Sequence, residues 1–590
     1  MINNRNYDSE IVDYLSCSNL GRLAWYDSET ADFIESEFNI HPLPLKLEYS
    51  LHDHQINSID FVQEREKTPI HGVRGGILHL TMGLGKTLTA LCHLFLRRKL
   101  NDNPALVVCS KTVMINWRLE IDKFFGDSIR VLYWHKDYYR QSHRITREEL
   151  LNYHIVIINY DAVLRSFKPD IYGDQMFIKG TQRIHKDKIL CINERRPCHV
   201  NKQYDSGYDL VMNVAWSRIV ADESQRFANP KTKTYKAMMC LIGEYKSCLT
   251  GTPIRNYNTD IWAQLRWLGY NTITTAHDWK MAAKGTYHHQ GLDRCLHNIT
   301  YNETSIELPE RSVHIHTAKL NGHQLDFYNM ILGEARDAYN QFVQGLVDYS
   351  CVLVAFTRLR QCCIAPYLIT PLAKRAKSNK NRDKLEQHVM EEMKNMSERD
   401  QVVFDKYSEL GINSVKVINA LHVLDEIPIG EKTVIFSKFT SSLDLVETSI
   451  NEYMDHINVV KVDGDVVGKD RINKLNQFRT DPNANVLLIT YDVGSEGISL
   501  TEANHVILIE PWWTPVVHDQ AIRRLWRPGQ TRPVNVHILI VQPGETTGIE
   551  QHIIKICDQK KKMAGSFLKN GTESFGAGLN AATLGRILEM

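Results

Sequence analysis

The sequence has 590 residues, too many for one compact core, and this length predicts about two to four domains. Its 70 lysines and arginines balance 69 aspartates and glutamates, so any nucleic-acid surface must be a local patch. It has no apolar run of about 18 residues and no basic and apolar start, and its 12 cysteines are scattered. These features exclude membrane, secreted, fibrous and disulfide-scaffold proteins and predict a soluble intracellular protein.

In chain order, the first predicted part is an acidic segment, 1–45, with eight acidic residues and two arginines, interpreted as an inactive helical cap. Short β-branched runs then alternate with helical periodicity over 46–256 and again over 411–545. This pattern is typical of parallel sheets covered on both faces, so the predicted fold class is α/β. A helix-rich middle, 257–410, separates the two layers, and a helix with a Gly- and Ala-rich tail follows at 546–590. The predicted strands are Ile77–Leu80, Ala105–Cys109, Ile155–Asn159, Arg218–Ala221, Ser247–Thr250, Thr433–Ser437, Asn458–Val462, Val486–Thr490, Val506–Ile509 and Val534–Ile540.

Two further stretches interrupt this pattern. The insert Arg165–Ala215 contains Cys191, Cys198 and His199, but their spacing fits no common zinc site, so a surface loop is predicted. The run Lys374–Lys384 is strongly basic and is either an extension of a DNA-binding surface or a solvated loop.

A phosphate-binding loop is predicted directly after the first strand, at Thr81–Thr87. Its glycines let backbone N–H groups turn toward an anion, and the N-terminus of the following helix adds partial positive charge. Lys86 is expected to reach the β- and γ-phosphates of ATP, and the Thr87 hydroxyl to coordinate Mg²⁺. The remaining members of this cradle are Met82, Gly83, Leu84 and Gly85. The alternative is a plain turn between a strand and a helix.

Two adjacent carboxylates, Asp222 and Glu223, follow the strand predicted at Arg218–Ala221. Beside a phosphate loop they can divide the chemistry between them. Asp222 would hold Mg²⁺ through its waters, and Glu223 would orient and deprotonate the attacking water. An Asp-Glu pair alone is more often a solvated turn, so this interpretation depends on the phosphate loop.

A helix is predicted to begin at Pro515 and to end at Pro528-Gly529. Gln520, Arg524 and Arg527 lie at positions i, i+4 and i+7 and would therefore share one face of it. We expect the two arginines to stabilise a transferring phosphoryl group, as arginine fingers do. Solvated surface arginines are the alternative.

Taken together, these motifs resemble the Swi/Snf-type ATPases of helicase superfamily two over residues 46–562. Further segments similar to motifs of that family are Leu51–Gln55, Leu106–Lys111 with Asn116-Trp117, Asn159–Asp161, Leu249–Asn256, Leu359–Cys363, Lys432–Thr440, Thr490–Leu500 and Trp512–Gln530. The resemblance implies two RecA-like lobes, 46–256 and 411–545, with helical protrusions and a linker over 257–410 and a brace helix after the second lobe.

The resemblance also implies roles for individual residues. ATP and Mg²⁺ would be the cofactors, and lobe closure would bring Arg524 and Arg527 to the phosphates. Nucleotide contacts are implied for Gln55, which would read adenine, and for Gly497 and Gln520. Coupling between the lobes is implied for Gln225, Thr250, Gly251 and Thr252. Nucleic-acid contacts are implied for Ser110, Lys111, Asn116, Ser437, Lys438 and Thr490.

The function implied by the resemblance is a DNA-dependent ATPase that translocates along double-stranded DNA and remodels or displaces bound proteins, such as nucleosomes or a transcription complex. Contacts to the phosphate backbone predict weak sequence preference and steep salt dependence. A strand-separating DNA or RNA helicase and a non-catalytic scaffold are the alternatives, and Trp512-Trp513 with the helical middle favours translocation. The short flanks are similar to those of a compact remodelling or repair motor, or of a transcription-associated ATPase of a large DNA virus. The expected location is the nucleus or cytoplasm, or a viral factory or virion for a viral member.

Overall fold

The structure is a computed structural model and describes residues 49–96, 102–138, 144–168, 177–179, 182–185, 188–191, 210–255, 259–284, 294–320, 322–369, 414–466, 468–494, 498–570 and 581–588. The predicted acidic segment 1–45, the basic run 374–384 and Gly497 lie outside these residues. The chain divides into two compact units. Unit 1 comprises Met1–Ile306 and Met563–Gly576, and unit 2 comprises Glu307–Lys562 and Ala577–Met590.

The strands, numbered in chain order, are β1 (Gly75–Leu80), β2 (Ala105–Cys109), β3 (Val131–Tyr133), β4 (Ile155–Asn159), β5 (Phe177–Lys179), β6 (Gln182–His185), β7 (Lys188–Cys191), β8 (Ala215–Asp222), β9 (Ile242–Thr250), β10 (Leu296–Ile299), β11 (Arg311–Leu320), β12 (Thr433–Ser437), β13 (Asn458–Val462), β14 (Ala484–Thr490), β15 (His505–Leu508) and β16 (Val534–Pro543). The helices of unit 1 are α1 (Asp53–Lys67), α2 (Lys86–Phe95), α3 (Val113–Phe124), α4 (Arg147–Leu151), α5 (Tyr160–Ser166), α6 (Leu210–Asn213), α7 (Lys233–Met239), α8 (Thr259–Leu268) and α9 (Ala276–Lys284). Those that follow are α10 (Gly322–Val343), α11 (Tyr349–Ile364), α12 (Val415–Asp425), α13 (Thr440–Tyr453), α14 (Gly468–Thr480), α15 (Tyr491–Gly494), α16 (Pro515–Ile522), α17 (Ile549–Asn570) and α18 (Ala581–Leu588).

A parallel sheet forms the centre of unit 1, with the strand order β10-β1-β9-β8-β2-β4-β3. Strands β2 and β4 are buried along their whole length. Successive residues of β2 alternate between two hydrophobic cores, with Leu106 and Val108 in one and Val107 and Cys109 in the other. Both faces of the sheet are therefore covered, which explains why these strands read as continuous apolar runs.

Unit 2 is built around a second parallel sheet, in the order β11-β16-β15-β12-β14-β13. Its strand β12 is also fully buried, with Val434 and Phe436 in one core and Ile435 in the other. A separate apolar cluster joins α10 and α11 to α17 and α18. The two parallel sheets confirm the predicted α/β fold, and every strand predicted from the sequence is present.

The structure adds elements that the sequence pattern did not indicate. The middle segment, predicted to be rich in helices, also contributes one edge strand to each sheet, β10 to unit 1 and β11 to unit 2. Within the predicted surface loop at 165–215, the described residues form a small antiparallel sheet, β5-β6-β7. Cys191 lies in β7, whereas Cys198 and His199 are outside the described residues. In the described part of the chain, no helix has the length and apolar character required to cross a membrane.

Candidate nucleotide and nucleic-acid sites

Three strand ends meet at the carboxyl edge of the sheet of unit 1, because β1, β9 and β8 are neighbours there. His79 of β1 is in register with Thr250 of β9, and Leu249 of β9 is in register with Asp222 of β8. The phosphate loop, the carboxylate pair and the segment after Thr250 therefore lie side by side. A side chain also links two of them, since His79 Nε2 lies 3.0 Å from the carbonyl oxygen of Gly251.

The phosphate loop follows β1 and leads into α2, which begins at Lys86. Gly83 and Gly85 have φ angles of 93° and 74°, a left-handed conformation that glycine adopts without a Cβ clash. Lys86 Nζ donates to the carbonyl oxygen of Leu80 over 3.1 Å, so its ammonium group points back across the loop. Lys86 and Thr87 are partly exposed at the N-terminus of α2, where backbone N–H groups and the helix dipole favour an anion.

Side chains that are distant in sequence bind carbonyl oxygens of this loop, in the pairs Gln55–Gly85, His54–Leu84 and Tyr301–Met82. Gln55, whose reading of adenine remains a prediction, is 3% exposed, and its Nε2 donates to the Gly85 carbonyl oxygen over 3.4 Å. It therefore braces the phosphate loop. Tyr301 has the same effect on Met82, and no motif in the sequence indicated it.

Gln225 connects the carboxylate of Glu223 to the end of β9. Its Nε2 donates to Glu223 Oε2, and its Oε1 accepts from the Thr250 hydroxyl at 2.7 Å. The Thr250 oxygen in turn accepts the N–H of Thr252 at 2.9 Å. Glu223 has a left-handed φ of 49°, a conformation that costs a non-glycine residue about 1–3 kcal/mol and often marks a functional site. Hydrogen bonds therefore connect the predicted coupling residues Gln225, Thr250 and Thr252 to Glu223. Their role in coupling remains a prediction.

Asp222 is buried, and neutral groups hold both of its carboxylate oxygens. Oδ2 accepts the indole N–H of Trp117, and Oδ1 accepts the backbone N–H of Glu223, each at 2.9 Å. Burial, and then the charge of Glu223, raises the pKa of Asp222 to about 6, while Trp117 and Lys86 oppose the shift. Because neither donor is charged, the ionised carboxylate remains free to attract a cation.

The residues present fit Mg²⁺. This ion prefers hard oxygen ligands and is usually bound through one or two carboxylates plus substrate phosphates. Asp222 and the Thr87 hydroxyl supply ligands of that kind beside the phosphate loop. In the described residues there is no group of three or more His, Cys, Asp or Glu that could hold a metal by itself. These two ligands therefore suit an Mg²⁺ ion that binds together with a nucleotide, whose phosphates would supply further oxygen ligands.

The arginine motif of unit 2 is only partly helical. Helix α16 ends at Ile522, whereas the sequence predicted that it would continue to Pro528. Gln520 lies in the helix, but Arg524 and Arg527 follow it in tight turns, so the prediction of one shared helix face was wrong. Beyond the helix, the carbonyl oxygen of Arg524 accepts the N–H of Leu500 at 2.9 Å, because its partner in a continued helix would be Pro528, which has no N–H to donate. Arg524 is 4% exposed, and Arg527 is partly exposed.

The predicted nucleic-acid contacts of unit 1 lie at the carboxyl end of β2 and on the first turns of α3. Lys111 is exposed, whereas Ser110 and Asn116 are partly exposed. The ammonium of Lys111 lies 3.0 Å from a carboxylate oxygen of Asp137. Both side chains of this ion pair are about half exposed, at 53% and 49%, so a phosphate could displace the aspartate.

The predicted contacts of unit 2 differ in exposure. Ser437 and Thr490 end β12 and β14 and are in register, but their exposed fractions are only 0% and 6%. Packing between neighbouring strands therefore removes both side chains from the surface, and their contact with nucleic acid remains a prediction. Lys438 remains partly exposed, and its ammonium pairs with the exposed carboxylate of Asp492.

A buried carboxylate that the motif reading missed lies behind Lys438. Glu510 is 0% exposed, and its oxygens accept the Ser437 hydroxyl at 2.9 Å and the Lys438 N–H at 2.6 Å. Arg360 is stacked nearby, with its guanidinium carbon 4.2 Å from the ring centre of Trp512. An acid at the end of an apolar strand, directly before Pro-Trp-Trp, was the available sequence signal for Glu510.

Comparison with protein families accounts for most of the chain. The profile of the SNF2-related domain matches residues 54–368, and that of the helicase conserved C-terminal domain matches residues 415–529. This chain belongs to the SNF2-related family. The two domains together identify a helicase-like, nucleic-acid-dependent ATP hydrolase and confirm the family and enzyme class expected from the motifs.

Individual relatives of this SNF2-family chain differ in length. It is 39% identical to the “Putative helicase 172L” of Invertebrate iridescent virus 6, covering 92% of this chain and 96% of the relative. It is 23% identical to the DNA repair protein RAD5A of Arabidopsis thaliana over 75% of this chain and 49% of that protein. It is also 23% identical to the ISWI chromatin-remodeling complex ATPase ISW1 of Saccharomyces cerevisiae, over 89% of this chain and 41% of that protein. The chain thus spans about half or less of these two cellular relatives.

Among solved structures, the chain is similar to the Sulfolobus solfataricus SWI2/SNF2 ATPase core in complex with double-stranded DNA. The sequence identity is 21%, the coverage is 94% of this chain and 99% of that one, and the TM-score is 0.35.

Proposed function

We propose that this SNF2-family chain is a DNA-dependent ATPase that couples ATP hydrolysis to translocation along double-stranded DNA, displacing or remodelling proteins bound there. The observation that carries the proposal is the convergence of the phosphate loop, Asp222-Glu223 and the Thr250 segment at neighbouring strand ends. Such a site combines an anion cradle, a metal ligand and a base, the groups that phosphoryl transfer to water requires.

In this proposal the nucleotide's phosphates bind the backbone of Met82–Gly85 and the ammonium of Lys86. Mg²⁺, held by Thr87 and Asp222, would neutralise charge on the phosphates. Glu223 accepts the proton of the attacking water, and its contact with Gln225 fixes the direction of its carboxylate. Gln225, Thr250, Gly251 and Thr252 then make hydrolysis sensitive to movement of the strand ends.

The second half of the chain contributes positive charge in the same proposal. Arg524 and Arg527 stabilise the transferring phosphoryl group, and Gln520 and Gly497 complete the nucleotide contacts. These assignments rest on the sequence motifs and on the match to the helicase C-terminal domain over 415–529. An arginine of this kind typically contributes about 10³–10⁵ in rate.

Duplex DNA is the proposed activating ligand. Support comes from the relatives whose names refer to DNA repair and chromatin remodelling. Lys111 and Lys438 are the contacts best able to meet a phosphate backbone, because both are exposed or partly exposed. Ser110 and Asn116 lie on either side of Lys111 in the sequence and would add contacts there. Ser437 and Thr490, which are buried at the strand ends, would support Lys438. Nucleosomes and transcription complexes are candidate cargoes.

The test compares ATP turnover of the purified chain with duplex DNA, single-stranded DNA and RNA, together with a triplex-displacement assay for translocation and a strand-separation assay. We expect duplex DNA to stimulate turnover most and triplex displacement to occur without strand separation. Strand separation in the same preparation would favour a helicase, the activity named in the viral relative.

Lys86→Ala and Glu223→Gln should each lower stimulated turnover at least about 100-fold, because Lys86 stabilises the reacting phosphate and Glu223 accepts the proton of the attacking water. Lys319→Ala is the matched control, since Lys319 is a surface lysine paired with Glu545. Undiminished turnover in Lys86→Ala would refute the nucleotide site.

A further inference from the structure

Trp117 connects the helix that carries a predicted nucleic-acid contact to the carboxylate predicted to hold Mg²⁺. It lies on α3 directly after Asn116, and it is 0% exposed. Its indole N–H donates to Asp222 Oδ2 at 2.9 Å, across 105 residues of sequence. The contact joins the element after β2 to the end of the neighbouring strand β8.

A second aromatic side chain holds the same residue from the next strand along. Tyr160 is the first residue of α5, directly after β4, and is 4% exposed. Its hydroxyl donates to the backbone carbonyl oxygen of Asp222 at 2.7 Å. Asp222 is therefore hydrogen-bonded at its carboxylate to a side chain of α3 and at its backbone carbonyl to a side chain of α5.

The chemistry of these donors matters for what Asp222 can do. A lysine or arginine partner would neutralise the carboxylate and compete with a cation. An indole N–H instead fixes the orientation of one oxygen and leaves its charge in place. A displacement of α3 therefore changes the direction of the carboxylate without changing its charge.

We propose that Trp117 is a positioning residue that couples nucleic-acid contact on α3 to the orientation of Asp222, with Tyr160 as the second support. The inference rests on the proposed function, because it assigns a route by which duplex DNA alters the nucleotide site. When Asn116 on α3, or Lys111 just before it, engages a phosphate backbone, α3 moves as a rigid element, and the indole carries that movement to the carboxylate. By linkage, bound nucleotide must change the affinity for DNA by the same factor.

The experiment measures that factor directly in the full chain. The dissociation constant of a fluorescein-labelled DNA duplex is determined by anisotropy without nucleotide and with saturating Mg²⁺ and a non-hydrolysable ATP analogue. The ratio of the two constants is the coupling factor, which typically lies between about 5 and 150. ATP turnover with and without duplex DNA is measured in parallel.

Trp117→Phe keeps an aromatic ring and removes the N–H donor. It should lower the coupling factor about fivefold or more, toward a ratio of one, while the nucleotide-free affinity for DNA stays within about twofold of wild type. The matched control is Trp267→Phe. Trp267 is also buried in unit 1, at 1% exposed, but its indole donates to the carbonyl oxygen of Met238 at 2.9 Å. This control should retain the wild-type coupling factor.

The remaining outcomes separate this inference from the proposed function. An unchanged factor in Trp117→Phe, or equal losses in Trp117→Phe and Trp267→Phe, overturns the role of Trp117. If Trp117→Phe does not fold, Tyr160→Phe decides, because it removes one hydroxyl and should lower the factor in the same direction. A wild-type chain that hydrolyses ATP in response to duplex DNA with a coupling factor of one overturns the inference alone. A wild-type chain that neither binds duplex DNA nor responds to it overturns the proposed function.

Discussion

The buried carboxylate of Glu510 leads to a prediction about stability. Acidic residues with a lowered pKa stabilise a fold at higher pH, whereas Glu510 should destabilise it there. Burial raises the pKa of Glu510 to about 7 from an ordinary value of 4.5, although the N–H of Lys438 and the charge of Arg360 partly oppose the shift. A carboxyl with a raised pKa in the folded state contributes stability that is present below pH 4.5 and is lost as the pH rises through 7. Unit 2 should therefore lose stability over this window.

The size of the effect follows from the shift. The two values of 7 and 4.5 differ by 2.5 units, which corresponds to about 3 kcal/mol. Glu510→Gln removes the titration while its amide oxygen still accepts from Lys438 and its amide nitrogen can donate to the Ser437 hydroxyl. We expect Glu510→Gln to match wild type near pH 4.5 and to exceed it in opening free energy by up to about 3 kcal/mol at pH 8.

Hydrogen exchange with mass spectrometry in the full chain provides the assay, using peptides that cover β12 and residues 505–512. Comparing the variant with wild type at each pH cancels the intrinsic pH dependence of exchange. Glu550→Gln is the control, because Glu550 is 1% exposed and pairs with the equally buried Lys416, so its loss should destabilise unit 2 at neutral pH. A difference between Glu510→Gln and wild type that does not change between pH 5 and pH 8 would refute the reasoning.

Three other side chains make testable predictions of a similar kind. Asp492→Asn should free Lys438 and tighten duplex binding about two- to fivefold in anisotropy titrations at low salt, and added salt should shrink the gain; unchanged affinity would contradict the assigned contact. Glu66→Gln should lower the free energy of unfolding of unit 1, measured by thermal unfolding, by about 3 kcal/mol, because it breaks the buried bidentate pair with Arg218. A loss under about 0.5 kcal/mol would contradict the importance of this pair. Gln225→Ala should reduce DNA-stimulated turnover several-fold in single-turnover assays while nucleotide affinity is retained, and equal losses in both would exclude a coupling role.

The strands and the order of motifs could be predicted because they depend on local signals. A strand buried on both faces must be apolar throughout, as in β2, β4 and β12, and this leaves a readable run in the sequence. The phosphate loop could be predicted for a similar reason, since left-handed positions such as Gly85 favour glycine. Edge strands such as β11 were missed because its exposed and partly buried residues give no continuous apolar run.

The contacts that complete the sites depend on the packing of distant segments. Trp117 and Asp222 are 105 residues apart, and the N–H of Lys438 and the carboxylate of Glu510 that it meets are 72 apart. No spacing rule joins such residues. The end of α16 shows the same limit, since the helical pattern continues to Pro528, whereas the helix ends at Ile522 and the carbonyl oxygen of Arg524 accepts the N–H of the distant Leu500.

The sequence alone therefore determined the α/β class, the family resemblance and the identity of the chemical groups, because each is encoded by residue types within a few positions of one another. Only the tertiary structure decided which groups are exposed, which are already paired, and which buried side chains orient them. Exposure and pairing arise when strands that are far apart in the chain become neighbours in a sheet, and this order is set by the packing of the whole unit.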